Sequence, residues 1–201
     1  MEPSVILYEE IRFMAKTGQT YQYIVADSIL GNLQDEYSLS EQEYYRIYVF
    51  YVTYSMCGTQ SAKKRTFKDY GWTSESVKNT AIGDALTTEL SLNRNANFIF
   101  TNKDDLATQF ASHNFPDGLL EDVDIERAVI ARTSESNNHL KLFYRIRDGF
   151  AHGKFKLRLS TSSEKMVVIQ DDNRHNVTAR IVLKLSTILG FIDVVDINGL
   201  V

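Results

Sequence analysis

Apolar residues recur along much of the chain at three- and four-residue steps, the spacing of one buried helical face. Ile6, Ile11 and Met14, then Tyr23, Ala26 and Leu30, predict two helical pieces before residue 33, separated at Gly18 and stopped at Gly31-Asn32. Ser40-Glu41-Gln42-Glu43 is a capping-box sequence: the serine hydroxyl accepts from the amide three residues on, and the glutamate reaches back. The aromatic run that follows, with rings at 44, 45, 48, 50, 51 and 54, predicts a helix buried on most sides and closed near Gly58. Its β-branched content keeps a strand open as the alternative. Further helices are expected from Ser74-Glu75 to about Leu92, around Leu106 and Phe110 behind Asn102 or Asp104, and from Glu121 through Ala131 after the Pro116-Asp117-Gly118 turn. Asn93 to Asn97 reads as a loop.

The period changes only near the C-terminal third. Leu140, Phe143, Ile146 and Phe150 mark an amphipathic helix over about 138–153. Phe155, Leu157 and Leu159 then alternate with Lys156, Arg158 and Ser160, which is a half-buried strand. Thr161 to Glu164 reads as a turn and Met166 to Gln170 as the second strand of a hairpin over about 155–170, closed by Asp171-Asp172-Asn173. Val177, Ile181, Leu185, Ile188, Ile192 and Val195 predict a long closing helix over about 175–195. The expected architecture is mainly α: a single domain over 1–201, a helical bundle with a small β-hairpin before the C-terminal helix.

Composition supports that picture and narrows the chemistry. The 201-residue chain has only two prolines, where average usage would give about ten. Long uninterrupted helices follow from that scarcity. No run approaches a membrane span, and the N-terminal stretch has no basic region of a secretory signal. The single cysteine, Cys57, excludes an internal disulfide framework, so a reducing, cytoplasmic setting is expected. The four histidines show no metal-ligand spacing, and neither a Gly-rich phosphate loop nor a nucleophile elbow occurs, so no metal or cofactor is expected.

One segment carries candidate chemistry: Tyr144-Arg145-Ile146-Arg147-Asp148-Gly149-Phe150-Ala151-His152-Gly153-Lys154-Phe155. From Lys141 to Arg158 six basic residues stand against one acid, Asp148, a local +5 in a chain of net charge −4. Such a stretch fits a phosphate-binding strip. It equally fits a solvated strand face, the reading given to Lys156 and Arg158, while Lys154 and Arg145 are candidates for RNA contact. Arg147-Asp148-x-x-x-His152-Gly153 resembles the motif of the HEPN superfamily: an Arg, four to six residues, then His, with a polar residue after the Arg and His-Gly in prokaryotic members. The hairpin and closing helix also resemble several small bacterial members, and the resemblance covers roughly residues 120–195. Arg132 to His139 and Arg145 to His152 satisfy the longest gap too. Five residues of ideal helix rotate by about 140°, so Arg147 and His152 do not share one stripe.

The resemblance implies a HEPN-like helical bundle and a two-fold homodimer in which two copies of the motif meet. It implies a metal-independent endoribonuclease acting as a toxin or phage-defence effector. His152 would take the proton of a ribose 2′-OH, Arg147 would stabilise the phosphate's extra charge, and Asp148 would orient a motif side chain. Imidazole, with an ordinary pKa near 6.5, suits proton transfer near neutrality. An antitoxin or a nucleotidyltransferase is the partner such a protein would have. Two rivals remain at this point. One is a non-catalytic HEPN-like binding or scaffold module. The other is an unrelated helical interaction protein, with His152 merely closing a helix and Arg147 paired to an acid of the 121–126 cluster. His113, His139 and His175 receive no role.

Overall fold

The computed structural model describes residues 39–55, 65–73, 81–115, 124–132, 138–173 and 176–201. The expectations for residues 1–33, Gly58, the Ser74-Glu75 cap, the Pro116 turn, Glu121, Asp122 and His175 lie outside the described residues.

The capping box forms as its sequence requires. Ser40 Oγ accepts from the Glu43 amide at 3.2 Å, and Glu43 Oε2 accepts from the Ser40 amide at 2.7 Å, starting α1 (Glu41–Ile47). Two amides that would otherwise lack partners are thereby satisfied. The chain then widens into a π-helical stretch, Tyr48–Thr53. The aromatic run is core: Tyr44, Ile47, Phe50 and Tyr51 are buried, and Phe50 and Tyr51 pack against Phe143 at ring separations of 6.1 and 6.0 Å. Among the described residues, α2 (Ala81–Glu89), α3 (Arg94–Asn97), α4 (Leu106–Ser112), α5 (Asn138–Ala151) and α6 (Leu185–Val195) are the further α-helices, with a 3-10 turn at Lys103–Asp105.

The remaining elements overturn the mainly-α expectation. Among the described residues five strands, β1 (Phe98–Thr101), β2 (Arg127–Ala131), β3 (Phe155–Leu159), β4 (Lys165–Asn173) and β5 (Asn176–Lys184), form one mixed sheet in the order β1-β2-β5-β4-β3. β1 and β2 run parallel, and the other neighbours are antiparallel. The fold is α/β, not a helical bundle and not all-α. The hairpin predicted after the motif helix is present as β3–β4, pairing Phe155 with Ile169 and Leu159 with Lys165. The helix expected to end at Ala131 is strand β2 over its last five residues. The long closing helix is a strand to Lys184 and a helix only from Leu185. The loop assigned to Asn93–Asn97 contains the short α3.

Burial on both faces explains these departures. Ala128, Ile130, Val167, Ile169, Ala179, Ile181 and Leu183 join the large core under α1, α5 and α6. Val129, Ala131, Met166, Val168 and Val182 join a second core with Leu106 and Phe110 of α4 and Phe115. Strands covered on both sides read as continuous apolar runs, and the alternation that identifies a strand disappears. In β5 the four-residue step from Val177 to Ile181 and Leu185 imitates a helical stripe, although Ile181, Val182 and Leu183 are consecutively buried.

Candidate functional site

Helix α5 forms because Leu142, Phe143, Ile146 and Phe150 supply a continuous stripe for the large core. Gly149 lets it lie close on β4: a Cβ at that position would stand 2.6 Å from Ile169 Cγ2. Its end is set by Gly153, whose φ of +63° is the left-handed conformation glycine adopts without strain. The Lys154 amide donates to the Gly149 carbonyl at 2.8 Å, and the Gly153 amide to the Phe150 carbonyl at 3.4 Å, the two bonds of a Schellman ending. The His-Gly pair thus has a local reason: His152 caps the helix just after Ala151, and Gly153 turns the chain away. Tyr48 reinforces this end, its hydroxyl donating to the Phe150 carbonyl at 3.1 Å. Burial, and next the neighbouring Tyr44, push the Tyr48 phenol well above its ordinary pKa, so it stays a donor.

The 140° separation between Arg147 and His152 is bridged by Asp148. Four residues before His152, Asp148 shares its helical stripe, and it is chain neighbour to Arg147. Arg147 Nη1 donates to Asp148 Oδ1 at 2.7 Å, while His152 Nε2 lies 3.9 Å from the same oxygen. The Asp148 side chain is 10% exposed, Arg147 18% and His152 35%, so the group opens outward from a buried carboxylate to a half-exposed imidazole. Arg147 Nε is buried with no hydrogen-bond partner among the described residues. Tyr144 extends the same stripe by one turn. Its phenol is raised by burial first and by the Asp148 carboxylate next. The three motif residues expected to act together, Arg147, Asp148 and His152, are therefore together. His152 also occupies the helix-ending position that the bland reading gave it.

No protein family, curated protein or solved structure matches this chain in comparison. The site accordingly stands on its own geometry.

The basic strip fares differently, because acids distant in sequence pair with it. Arg145, a candidate RNA contact, is buried and ion-paired through Nη1 to Asp171 Oδ2. Burial and pairing take it away from a solvent-borne phosphate, and the expectation of RNA contact is corrected on that ground. Lys154, the other candidate, lies 3.2 Å from Asp172 Oδ1 and 3.9 Å from Asp171 Oδ1. It remains about one-third exposed at the edge of the site. Arg158 pairs with Asp124 at 2.6 Å, and Glu126, the other described acid of the 121–126 cluster, accepts from the Lys184 amide at 2.9 Å, so these acids serve residues other than Arg147. Lys141 is buried, and Lys156 is exposed on β3.

Asp171 and Asp172 are the residues sequence reasoning passed over, having taken them only as the close of the hairpin. One signal existed. Asp171 follows Val167 and Ile169 at two-residue steps, so continuing β4 places a carboxylate on the core-facing side of the strand. A carboxylate in that position requires a partner. No helix among the described residues is long and apolar enough to cross a membrane.

Proposed function

We propose that this chain is a metal-independent endoribonuclease whose site is the Arg147–Asp148–His152 group. The observation that carries the reading is the convergence of Arg147 and His152 on one Asp148 oxygen at the open end of α5. The HEPN resemblance of the motif supports it. The mixed sheet departs from an all-helical bundle, so support comes from the motif segment and its geometry and none from the architecture.

In the proposed reaction His152 takes the proton of the ribose 2′-OH as O2′ attacks the adjacent phosphorus. The bond from phosphorus to O5′ breaks, and the leaving oxygen takes a proton from a second imidazole. Arg147, held by Asp148, faces the charge that develops on the phosphoryl oxygens. The products are a 2′,3′-cyclic phosphate and a 5′-hydroxyl. A two-fold pair of chains would supply the second His152 as the acid. A role as a toxin or phage-defence effector, with an antitoxin or nucleotidyltransferase as partner, belongs to the same resemblance.

The test is cleavage of RNA by purified protein in excess EDTA, with matched DNA as control. RNA cleavage, inert DNA, and a loss of roughly 10²–10⁴-fold in His152→Ala are expected. Activity that survives His152→Ala, or that requires added metal, overturns the mechanism. A stoichiometric protein complex without any cleavage would replace the enzyme by a binding module.

A further inference from the structure

Beneath the site lies a second group of charges whose layout is not that of ordinary surface pairing. Asp171 is 3% exposed on β4, and its carboxylate is shared in three directions. Arg145 of α5 approaches Oδ2. Thr178 Oγ1 donates to Oδ2 at 3.0 Å and is also 3.2 Å from the Asp171 carbonyl oxygen. Lys154 lies 3.9 Å from Oδ1 and donates to the neighbouring Asp172 through Oδ1 at 3.2 Å and its carbonyl at 3.3 Å. Thr178 reaches this position because the β4–β5 ladder slips between Asp171 and Asp172: Asp171 faces Ala179 and Asp172 faces Val177, leaving Thr178 as an extra residue. Bulges of this kind re-aim a side chain at the cost of a ladder pair.

The two cations that meet at this carboxylate pair flank the motif. Arg145 precedes Arg147 by two residues, and Lys154 follows His152 by two. One grips from the helix, the other from beyond the Gly153 turn. Between them Gly149 lies against Ile169, two residues before Asp171 on the same strand. The whole segment from Arg145 to Lys154 is thus fastened at both ends to two adjacent residues of β4.

We propose that Asp171 is a positioning residue for the site: Gly153 ends α5, and Asp171, through Arg145 and Lys154, holds that end against β4 and so fixes how the Arg147 and His152 side chains are presented. It touches neither substrate nor the reacting atoms. For its kinetic readout the proposal rests on the ribonuclease reading. Positional errors of about 1 Å cost on the order of 10²-fold in rate.

The test compares Asp171→Asn with a double variant, Arg145→Met with Asp171→Leu, against Asp124→Asn as control. Asparagine keeps size and the Thr178 bond but loses the charge. The double variant replaces the buried pair by apolar groups of similar volume, a change that leaves folding intact in comparable cases. The control removes a different ion pair, that of Asp124 with Arg158. In both test variants kcat for RNA should fall about 10- to 100-fold with KM unchanged, and the ¹⁵N shifts of the His152 imidazole should move at fixed pH. In the control neither should change. A folded double variant with wild-type kcat and wild-type His152 shifts overturns the proposal. If the wild-type chain cleaves no RNA, the imidazole shifts still decide: movement upholds the positioning role while the ribonuclease reading falls, and no movement removes both.

Discussion

Two arginines two residues apart on α5 teach different lessons. Arg145 points into the protein and is held by Asp171, 26 residues away in sequence, on a buried strand. Arg147 stays half-buried at the outer edge and takes its partner from the next residue, Asp148. Both are Arg–Asp pairs, and the local sequence treats them alike. Their physical roles differ because burial changes what losing a partner means. A buried carboxylate stripped of its cation keeps its desolvation cost without compensation. Asp148 is buried too, but Arg147 is more exposed than Arg145 and lies beside the half-exposed His152, so this pair is partly screened by water and its cation faces the open end of the helix.

Substitution at each arginine should separate the two most widely. Arg145→Ala should destabilise the fold by about 3–5 kcal/mol in chemical denaturation, because it strips the buried Asp171 of its nearest cation and leaves only the Thr178 hydroxyl and the more distant Lys154 beside it. Arg147→Ala should cost less, about 1–3 kcal/mol in the same measurement, while RNA cleavage falls roughly 10²–10³-fold. Equal stability losses at the two positions would erase the distinction.

Gly153→Ala tests the turn that joins both regions. Placing a side chain at φ +63° should cost about 1–2 kcal/mol, seen as a lower melting temperature. It should also lower cleavage, since the turn sets the position of His152. At Ser40, remote from both arginines, Ser→Ala should cost about 1 kcal/mol through the lost cap and leave cleavage at its wild-type rate.

The smallest effect concerns Arg158, the strip residue that pairs with the loop before β2. The Thr161 amide first, and then Arg158, hold the Asp124 carboxyl down to about 2. Its folded pKa lies below the ordinary carboxylate value, so this contact contributes stability at pH above about 4. That contribution fades as pH falls through about 2. A carboxyl ¹³C titration should place the Asp124 midpoint there, and Arg158→Gln should raise it. An unmoved midpoint would show that the Thr161 amide alone holds the group.

Local patterns were legible where one element's own residues decide its state. The Ser40 box, the α5 stripe and the β3–β4 hairpin are written in neighbours three, four or two positions apart, and each formed as read. Arg147, Asp148 and His152 were likewise legible as a group, since a four-residue helical step brings Asp148 to His152. β2 and β5 were not, because side chains buried on both faces carry no alternation. Nor was the fate of the +5 stretch.

By itself the sequence determined where helices begin, where α5 ends, and that an arginine, an aspartate and a histidine stand together there. Short-range hydrogen bonds and the preference of Gly153 for positive φ suffice for that. Only the tertiary structure decided that a five-stranded sheet lies beneath the helices, that Arg145 is spent on Asp171, and that Lys154 leans on Asp172. These outcomes depend on which surfaces meet after folding. A charge takes its partner from whatever the fold places within a few ångströms, and pairings 18 to 34 residues apart leave no mark on local periodicity.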